Sequence, residues 1–267
     1  MNLEQWLKQA TDKLDKSGIG SARLDALILL EDETGKDRAW LLAHPEFSLG
    51  TEQTGRLGKK LARRAGHEPL AYIRGHTEFY GRRFKVDKHV LEPQPESETM
   101  IDLLLKLPLP AAPVIADIGT GSGALGITAR LEIPSAEVDL YDIDAAALAV
   151  ARHNCELHEL YLKTYKRDLL SRPAREYQVI LANLPYVPDS WHINEAAAME
   201  PKVAIAGGKD GLELYRRMFK QLARLENQPH FILSEALPPQ HEGLVHLATA
   251  AGYKLAGAQD FIQIFTR

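Results

Sequence analysis

Cysteine is all but missing. Cys155 stands alone among 267 residues, so no intramolecular disulfide can form and nothing in the chain requires an oxidising compartment. Long apolar runs are missing as well: none reaches the roughly 20 residues that a membrane-spanning helix needs. The N-terminal stretch MNLEQWLKQATDKLDK is polar and amphipathic, without the apolar core of a signal peptide. Nor is there a surplus of positive charge. The formal net charge of -4 argues against broad non-specific nucleic-acid binding and leaves only a local basic patch open. No internal repeat or low-complexity tract interrupts a composition that is 45% hydrophobic and 25% charged, ordinary for a globular protein. These absences predict a cytoplasmic protein without membrane contact, long enough for one large domain or two unequal ones.

What is present changes character along the chain. In the first 66 residues Leu3, Trp6, Leu7, Ala10 and Leu14 recur at helical spacing, and Gly18-Ile19-Gly20 ends that element. Ser21 is placed to cap a second helix with Leu24, Leu27, Ile28 and Leu30 inward, DRAWLLAHP reads as a short helix stopped by Pro45, and Leu57 and Leu61 mark another. A small helical bundle without a catalytic constellation is expected there. TEFYGRRFKVD, residues 77–87, suggests a hairpin around Gly81, and LEPQPESE a proline-punctuated loop. From Val114 onward strands and helices alternate: VIADIG, GALGITARL, EVDLYDID, AAALAVARHNCELH, then the strands YQVILAN, HFILSEA and FIQIFTR. Such alternation predicts an α/β domain with a Rossmann-like parallel sheet covered on both faces. The expected boundaries are a helical domain at 1–74, a hairpin and linker at 75–95, and the α/β domain at 96–267.

Two stretches carry chemistry. ADIGTGSGALG, residues 116–126, joins a strand to a helix; its glycines permit a sharp turn and close approach to a ligand, and the helix N-terminus favours a negative group. It contains Gly121-x-Gly123-x-x-Gly126, and Asp142 follows about twenty residues on, where such folds place a ribose-binding acid. An adenosine-bearing cofactor is expected. Asp117 selects among them on this reading: a carboxylate would repel a pyrophosphate but suit the ammonium group of S-adenosylmethionine. The plainer alternative is a tight turn and an exposed strand-end acid.

The second stretch is LANLPYVP, residues 181–188, where an apolar run breaks into Asn183-Leu184-Pro185-Tyr186. An amide nitrogen is a poor nucleophile, because its lone pair is delocalised into the carbonyl. Two acceptors, the Asn183 side-chain oxygen and the Leu184 backbone oxygen, can each take one N–H of a planar substrate nitrogen and aim it. Pro185 holds Leu184 extended and fixes that carbonyl, while Tyr186 can lie against a planar group. Methylation of a planar nitrogen fits these residue types. A strand merely closed by Asn and Pro is the alternative.

These residues resemble the HemK/PrmC family of S-adenosylmethionine-dependent protein glutamine N5-methyltransferases, over nearly the whole chain. SARLDALILL and DRAWLLAHPE are similar to that family's N-terminal domain, EPLAYIRGHTEFYGRRFKVD to its linker and hairpin, DIGTGSGALGI to its cofactor loop, and EPKVAIAGGKDGLELYRRMF, residues 200–219, to a further signature. The resemblance implies methyl transfer from S-adenosylmethionine to the glutamine of the Gly-Gly-Gln motif in class I peptide chain release factors. It further implies that Asp117, Gly119, Thr120, Gly121, Ser122, Gly123, Asp142 and Asn183 hold the cofactor, that Asp168 and Leu169 flank its adenine, and that Asn183, Leu184, Pro185 and Tyr186 grip the substrate glutamine. The helical domain would contact the release factor, with no direct nucleic-acid partner and a monomeric chain expected. Departures are Leu184 at a position where the family has proline, which loses a rigid restraint but keeps the carbonyl; Gln94 where arginine is frequent, which removes an expected ion pair; and the divergent SEALPPQ and DFIQIFTR.

Other readings stay open. A ribosomal-protein glutamine or an adenine N6 group could be the acceptor, or the chain could bind cofactor without turnover; an NAD-dependent oxidoreductase is opposed by Asp117. His153, Cys155 and His158 do not share one helical face well enough for a metal, so no metal is expected. KKLARR at 59–64 reads as a solvated helix face and Trp6, Trp40 and Trp191 as packing residues, with Trp191 an alternative cleft residue. Ser122 lacks His/Asp partners for a nucleophile.

Overall fold

The computed structural model describes residues 1–191, 195 and 197–267. Two compact units emerge. One contains Met1–Gly75, and the other begins at His76 and runs to Arg267, apart from a short segment ahead of Glu200 that groups with the first.

The first unit is helical: α1 (Leu3–Lys16), α2 (Ala22–Thr34), α3 (Arg38–Ala43), α4 (Thr51–Ala65) and α5 (Leu70–Arg74). Asn2 and Gln5 form a reciprocal capping box at the start of α1, and Leu3, Trp6, Ala10 and Leu14 bury its apolar stripe. Two expectations for α2 are corrected. Ser21 precedes it without a side-chain cap bond, and Leu24 faces solvent while Leu29 is buried beside Leu27 and Leu30. α2 is apolar on more than one face, so its stripe is set by its neighbours and not by its own periodicity. The basic run on α4 is not a free cationic face: Lys60 pairs with Glu33, Arg63 with Glu68 and Arg64 with the buried Asp25.

The second unit opens with a hairpin, β1 (His76–Phe79) and β2 (Arg82–Lys85). Phe79 pairs with Arg82, so Tyr80-Gly81 is a two-residue turn, and both of its residues have positive φ, as a tight right-twisting hairpin demands. After α6 (Glu98–Leu104) the chain alternates β3 (Val114–Ile118), α7 (Ala124–Glu132), β4 (Glu137–Asp142), α8 (Ala145–Leu157), β5 (Lys163–Lys166), β6 (Val179–Ala182), α9 (Lys202–Ile205), α10 (Glu213–Leu222), β7 (Phe231–Glu235), α11 (His241–Ala250), β8 (Lys254–Gln259) and β9 (Ile262–Thr266). The seven-stranded sheet has the order β5-β4-β3-β6-β7-β9-β8, parallel except for β9, which runs antiparallel to both neighbours. The α/β class with a mostly parallel sheet is as expected.

Strand β6 is buried at every position, with Ile180 and Ala182 in one apolar cluster and Val179 and Leu181 in the other, because helices cover both faces. Each such Ile or Leu contributes on the order of 1.5–3 kcal/mol. The two strands without a sequence signal, β5 (KTYK) and β8 (KLAGAQ), are the edge strands of the sheet. Half-exposed edges carry no apolar alternation, which is why they escape pattern reading. Among the described residues no helix is long and apolar enough to cross a membrane.

Candidate active site

Strand order reverses between β3 and β6, which lie side by side although β4 and β5 separate them in sequence. A crevice therefore opens at their carboxyl ends, and both chemistry-bearing stretches end there. The resulting cavity, about 240 Å³, is lined by Gly119–Ala124 without Gly123, by Asp142, Asp168 and Leu169, and by Asn183, Leu184 and Pro185.

The loop after β3 is held mostly from within. Asp117, buried, accepts the Thr120 hydroxyl (2.5 Å) and the Gly126 N–H (2.9 Å) on Oδ2. Burial pushes its carboxyl up to about 6, against those two hydrogen bonds, which hold it down. Asp117 does not line the cavity. Its hydrogen bonds brace the loop, a role beside the expected contact with the cofactor ammonium. Gly126 is the position where side-chain absence matters most, since a Cβ there would sit 2.4 Å from Leu140 Cδ2 and 3.0 Å from Asp117. Gly121 has φ +53, and its missing Cβ points to open space. Its N–H donates to Asp142 Oδ2 at 3.0 Å, while Asp142 Oδ1 takes the Asp144 N–H at 2.9 Å. Burial again raises the carboxyl from its ordinary value. One tie comes from farther away. The buried Asn154 of α8 donates to the backbone oxygens of Ser122 (2.8 Å) and Lys85 (3.0 Å) and accepts the Lys85 N–H (2.7 Å). Sequence reading passed over it, in the middle of RHNCELH. Its neighbour Cys155 is buried, its thiol pushed up to about 11, and no metal-binding cluster of His, Cys, Asp or Glu occurs among the described residues.

The loop after β6 is held from outside itself. Asn183 Nδ2 donates to Ser97 Oγ (2.9 Å), and Ser97 Oγ donates to Glu235 Oε2 (2.6 Å). Tyr186 donates its phenol to Glu235 Oε1 (2.9 Å). The fully buried Tyr215 of α10 receives the Leu184 N–H (3.2 Å) and lies within hydrogen-bond distance of the Ala182 and Glu235 backbone oxygens (3.1 and 2.5 Å). The Leu184 side chain is 1% exposed and covers Gly119. Leu184 thus recovers the restraint that a proline would have given, through a backbone N–H that proline lacks and through packing. With Nδ2 committed, Asn183 Oδ1 accepts no hydrogen bond among the described residues, and neither does the Leu184 carbonyl. Two acceptors of neighbouring lining residues are left over.

Asp168 and Leu169 line the cavity, Leu169 at φ +52, a conformation that costs a non-glycine residue roughly 1–2 kcal/mol. Asp168 also pairs with Arg217 of α10, a second lining residue that the sequence did not single out. Gln94 donates to the Glu92 carbonyl at 2.9 Å. Trp191 is 52% exposed and outside the lining, whereas Trp6 is buried and Trp40 stacks on His44. Ser97, Tyr215 and Glu235 were missed in the sequence. For Glu235 a signal existed: an acid ends the apolar run FILSE, as Asp142 ends EVDLYD.

The cavity suits a nucleoside carrying a charged tail. It combines an apolar wall (Leu169, Leu214, Pro185), a carboxylate with backbone donors (Asp142), and the first residues of α7. Comparison with known proteins agrees. Residues 5–75 match the family model of the PrmC N-terminal domain, and residues 97–200 that of the methyltransferase small domain. The release factor glutamine methyltransferase of Koribacter versatilis is 36% identical over 83% of this chain and 81% of its own length. That of Coxiella burnetii is 36% identical over 87% and 85%. Among solved structures, the catalytic domain of hMettl16 in complex with an RNA hairpin superposes with a TM-score of 0.56 at 14% identity, covering 86% of this chain and 91% of that one. That likeness concerns the fold alone.

Proposed function

The chain belongs to the release factor glutamine methyltransferase family, an S-adenosylmethionine-dependent group, and from that premise we propose that it methylates the side-chain amide nitrogen of a glutamine in a class I peptide chain release factor. The observation that carries this reading is that Asn183 Oδ1 and the Leu184 carbonyl, in two neighbouring residues of the cavity lining, accept no hydrogen bond among the described residues.

S-adenosylmethionine supplies an electrophilic methyl group on its sulfonium when bound. The loop Gly119, Thr120, Gly121, Ser122 and Gly123, with Asp142, would hold it, and Asp168 and Leu169 would flank its base. The chain's own work is alignment. Asn183 Oδ1 and the Leu184 carbonyl each take one N–H of the glutamine amide, which directs the nitrogen lone pair out of the amide plane and stabilises positive charge as it develops. Pro185 keeps the Leu184 carbonyl in place, and Glu235 holds the Tyr186 phenol. The nitrogen becomes strongly acidic only after alkylation, so its proton passes to solvent and no strong base is needed. The same reading has the chain act as a cytoplasmic monomer on a protein and not on nucleic acid; the net charge of -4 supports the last point.

The test is transfer of labelled methyl from S-adenosylmethionine to purified unmethylated release factor. A Gln→Ala variant of its Gly-Gly-Gln motif, total ribosomal protein and DNA serve as comparisons. Label confined to the wild-type release factor is expected. Label on ribosomal protein or DNA instead would replace the proposed substrate.

A further inference from the structure

An amide side chain has nearly the same shape either way round, so packing cannot decide whether Asn183 shows the cavity an oxygen or an NH2 group. Only its hydrogen-bond partners can. Ser97 Oγ has a single proton, and that proton is spent on Glu235 Oε2. Its lone pairs therefore face Asn183, which must answer with N–H. The other carboxylate oxygen takes the Tyr186 phenol. Ser97 is 3% exposed and Glu235 1%, so water does not relay these bonds.

We propose that Glu235 is a positioning residue that sets the donor–acceptor polarity of the substrate-amide site, acting through Ser97 to keep the Asn183 oxygen turned toward the cavity; this rests on the amide-methylation reading above. An ionised carboxylate only accepts. Its polarity passes to Asn183 as Glu235 fixes the Ser97 proton, Ser97 and the carboxylate itself draw the Asn183 nitrogen, and Asn183 is left with an acceptor facing outward. Glutamine at position 235 has the same shape but brings two N–H donors. If they meet Ser97, the Ser97 proton turns to Asn183, which must then flip and oppose the substrate NH2 with an NH2 of its own. If they meet Tyr186, the phenol loses its acceptor. One link is reversed in either case.

Protonation of Glu235 is the reversible form of the same change. The titratable groups around it are Glu96 on the turn before α6, Tyr186 on the loop after β6, and Tyr215, whose hydroxyl meets the Glu235 backbone oxygen. Burial raises the carboxyl from its ordinary value, assisted by Glu96 and opposed by Ser97, Tyr186 and Asn183. Transfer by the wild-type chain should therefore fall off toward acid pH.

The experiment uses the full chain with Glu235→Gln, Glu235→Asp and Ser97→Ala. In ligand-free, nitrogen-15-labelled protein, the Asn183 side-chain amide, identified by its loss in Asn183→Asp, is expected to exchange slowly with solvent. Glu235→Gln and Ser97→Ala should both shift that resonance and speed its exchange, while Glu235→Asp should keep it close to wild type. Turnover in Glu235→Gln should drop about 100-fold, the scale of losing one oriented polar group at a reacting centre. Cofactor affinity should stay within several-fold, the acid limb of the pH profile should vanish, and Glu235→Asp should recover much of the turnover. An unaltered Asn183 resonance in both Glu235→Gln and Ser97→Ala overturns the proposal whatever the activity, as does wild-type turnover in Glu235→Gln. A wild-type chain that moves no methyl to glutamine would count against the proposed function, and the Asn183 resonance would still decide the polarity claim. Should Glu235→Gln fail to fold, Ser97→Ala carries the same reading, because it removes the hydroxyl that fixes the Asn183 nitrogen and leaves the carboxylate in place.

Discussion

The loops after β3 and after β6 meet at one cavity, and each stands on a buried carboxylate, yet they are held in opposite ways. Asp117 belongs to the loop it supports: its partners Thr120 and Gly126 lie three and nine residues away. Glu235 belongs to another strand, and its partners lie 138 and 49 residues away at Ser97 and Tyr186. The first carboxylate organises backbone, and the second organises side chains. A loop that grips a cofactor with main-chain groups can be specified by a short local motif. A loop that must aim an amide needs supports on several sides, which only the assembled sheet brings together.

This contrast can be broken in order of effect. Asp117 has its carboxyl pushed up to about 6 by burial, so between about pH 4 and 6 the folded chain binds more protons than the unfolded one. Its contribution to stability is therefore complete below about pH 4 and is lost as pH rises through 6, by up to about 3 kcal/mol. Denaturant titrations of Asp117→Asn should show that slope removed, while Glu235→Gln, though its carboxyl is also raised, should chiefly alter turnover. A pH profile of stability unchanged by Asp117→Asn would contradict the brace.

Gly126→Ala comes next. Its Cβ would fall 2.4 Å from Leu140 Cδ2 and 3.0 Å from Asp117, so α7 must move off β4. A loss of about 1–3 kcal/mol is expected, read as a lowered Tm, together with weaker cofactor binding. Wild-type affinity in that variant would mean that the loop does not depend on this packing.

The smallest effect sharpens the comparison most. Leu184 donates its N–H to Tyr215, a bond that proline cannot make. Tyr215→Phe should cost about 1 kcal/mol in the native background. Combined with Leu184→Pro, the two substitutions should be non-additive, since the second removes the donor whose partner the first deletes. Strict additivity in a double-mutant cycle would place the restraint on Leu184 elsewhere.

The same division governs what sequence reading could reach. The turn around Gly119–Gly126 and the strands β3, β4 and β6 were legible because glycine spacing and apolar runs are local properties. Asn183 to Tyr186 were legible as residue types suited to a planar nitrogen, but Ser97, Tyr215 and Glu235, which orient them, were not. They lie 86, 31 and 49 residues from their partners Asn183, Leu184 and Tyr186, and no periodicity connects such positions. Asp117 shows the converse. Its residue type suggested a ligand contact, and only the geometry shows that it also carries Thr120 and Gly126. The edge strands β5 and β8 escaped because exposed edges carry polar residues, and Leu24 misled because α2 is apolar on more than one face.

The central claim is that the two loops divide the work, one holding cofactor and the other aligning the amide. It is tested most directly by Asn183→Ala, with S-adenosylmethionine binding measured by calorimetry and methyl transfer measured in a single turnover on the same preparation. The account predicts cofactor affinity within several-fold of wild type and transfer reduced by about 100-fold or more. Transfer near the wild-type rate, or loss of cofactor binding in step with loss of transfer, would contradict it.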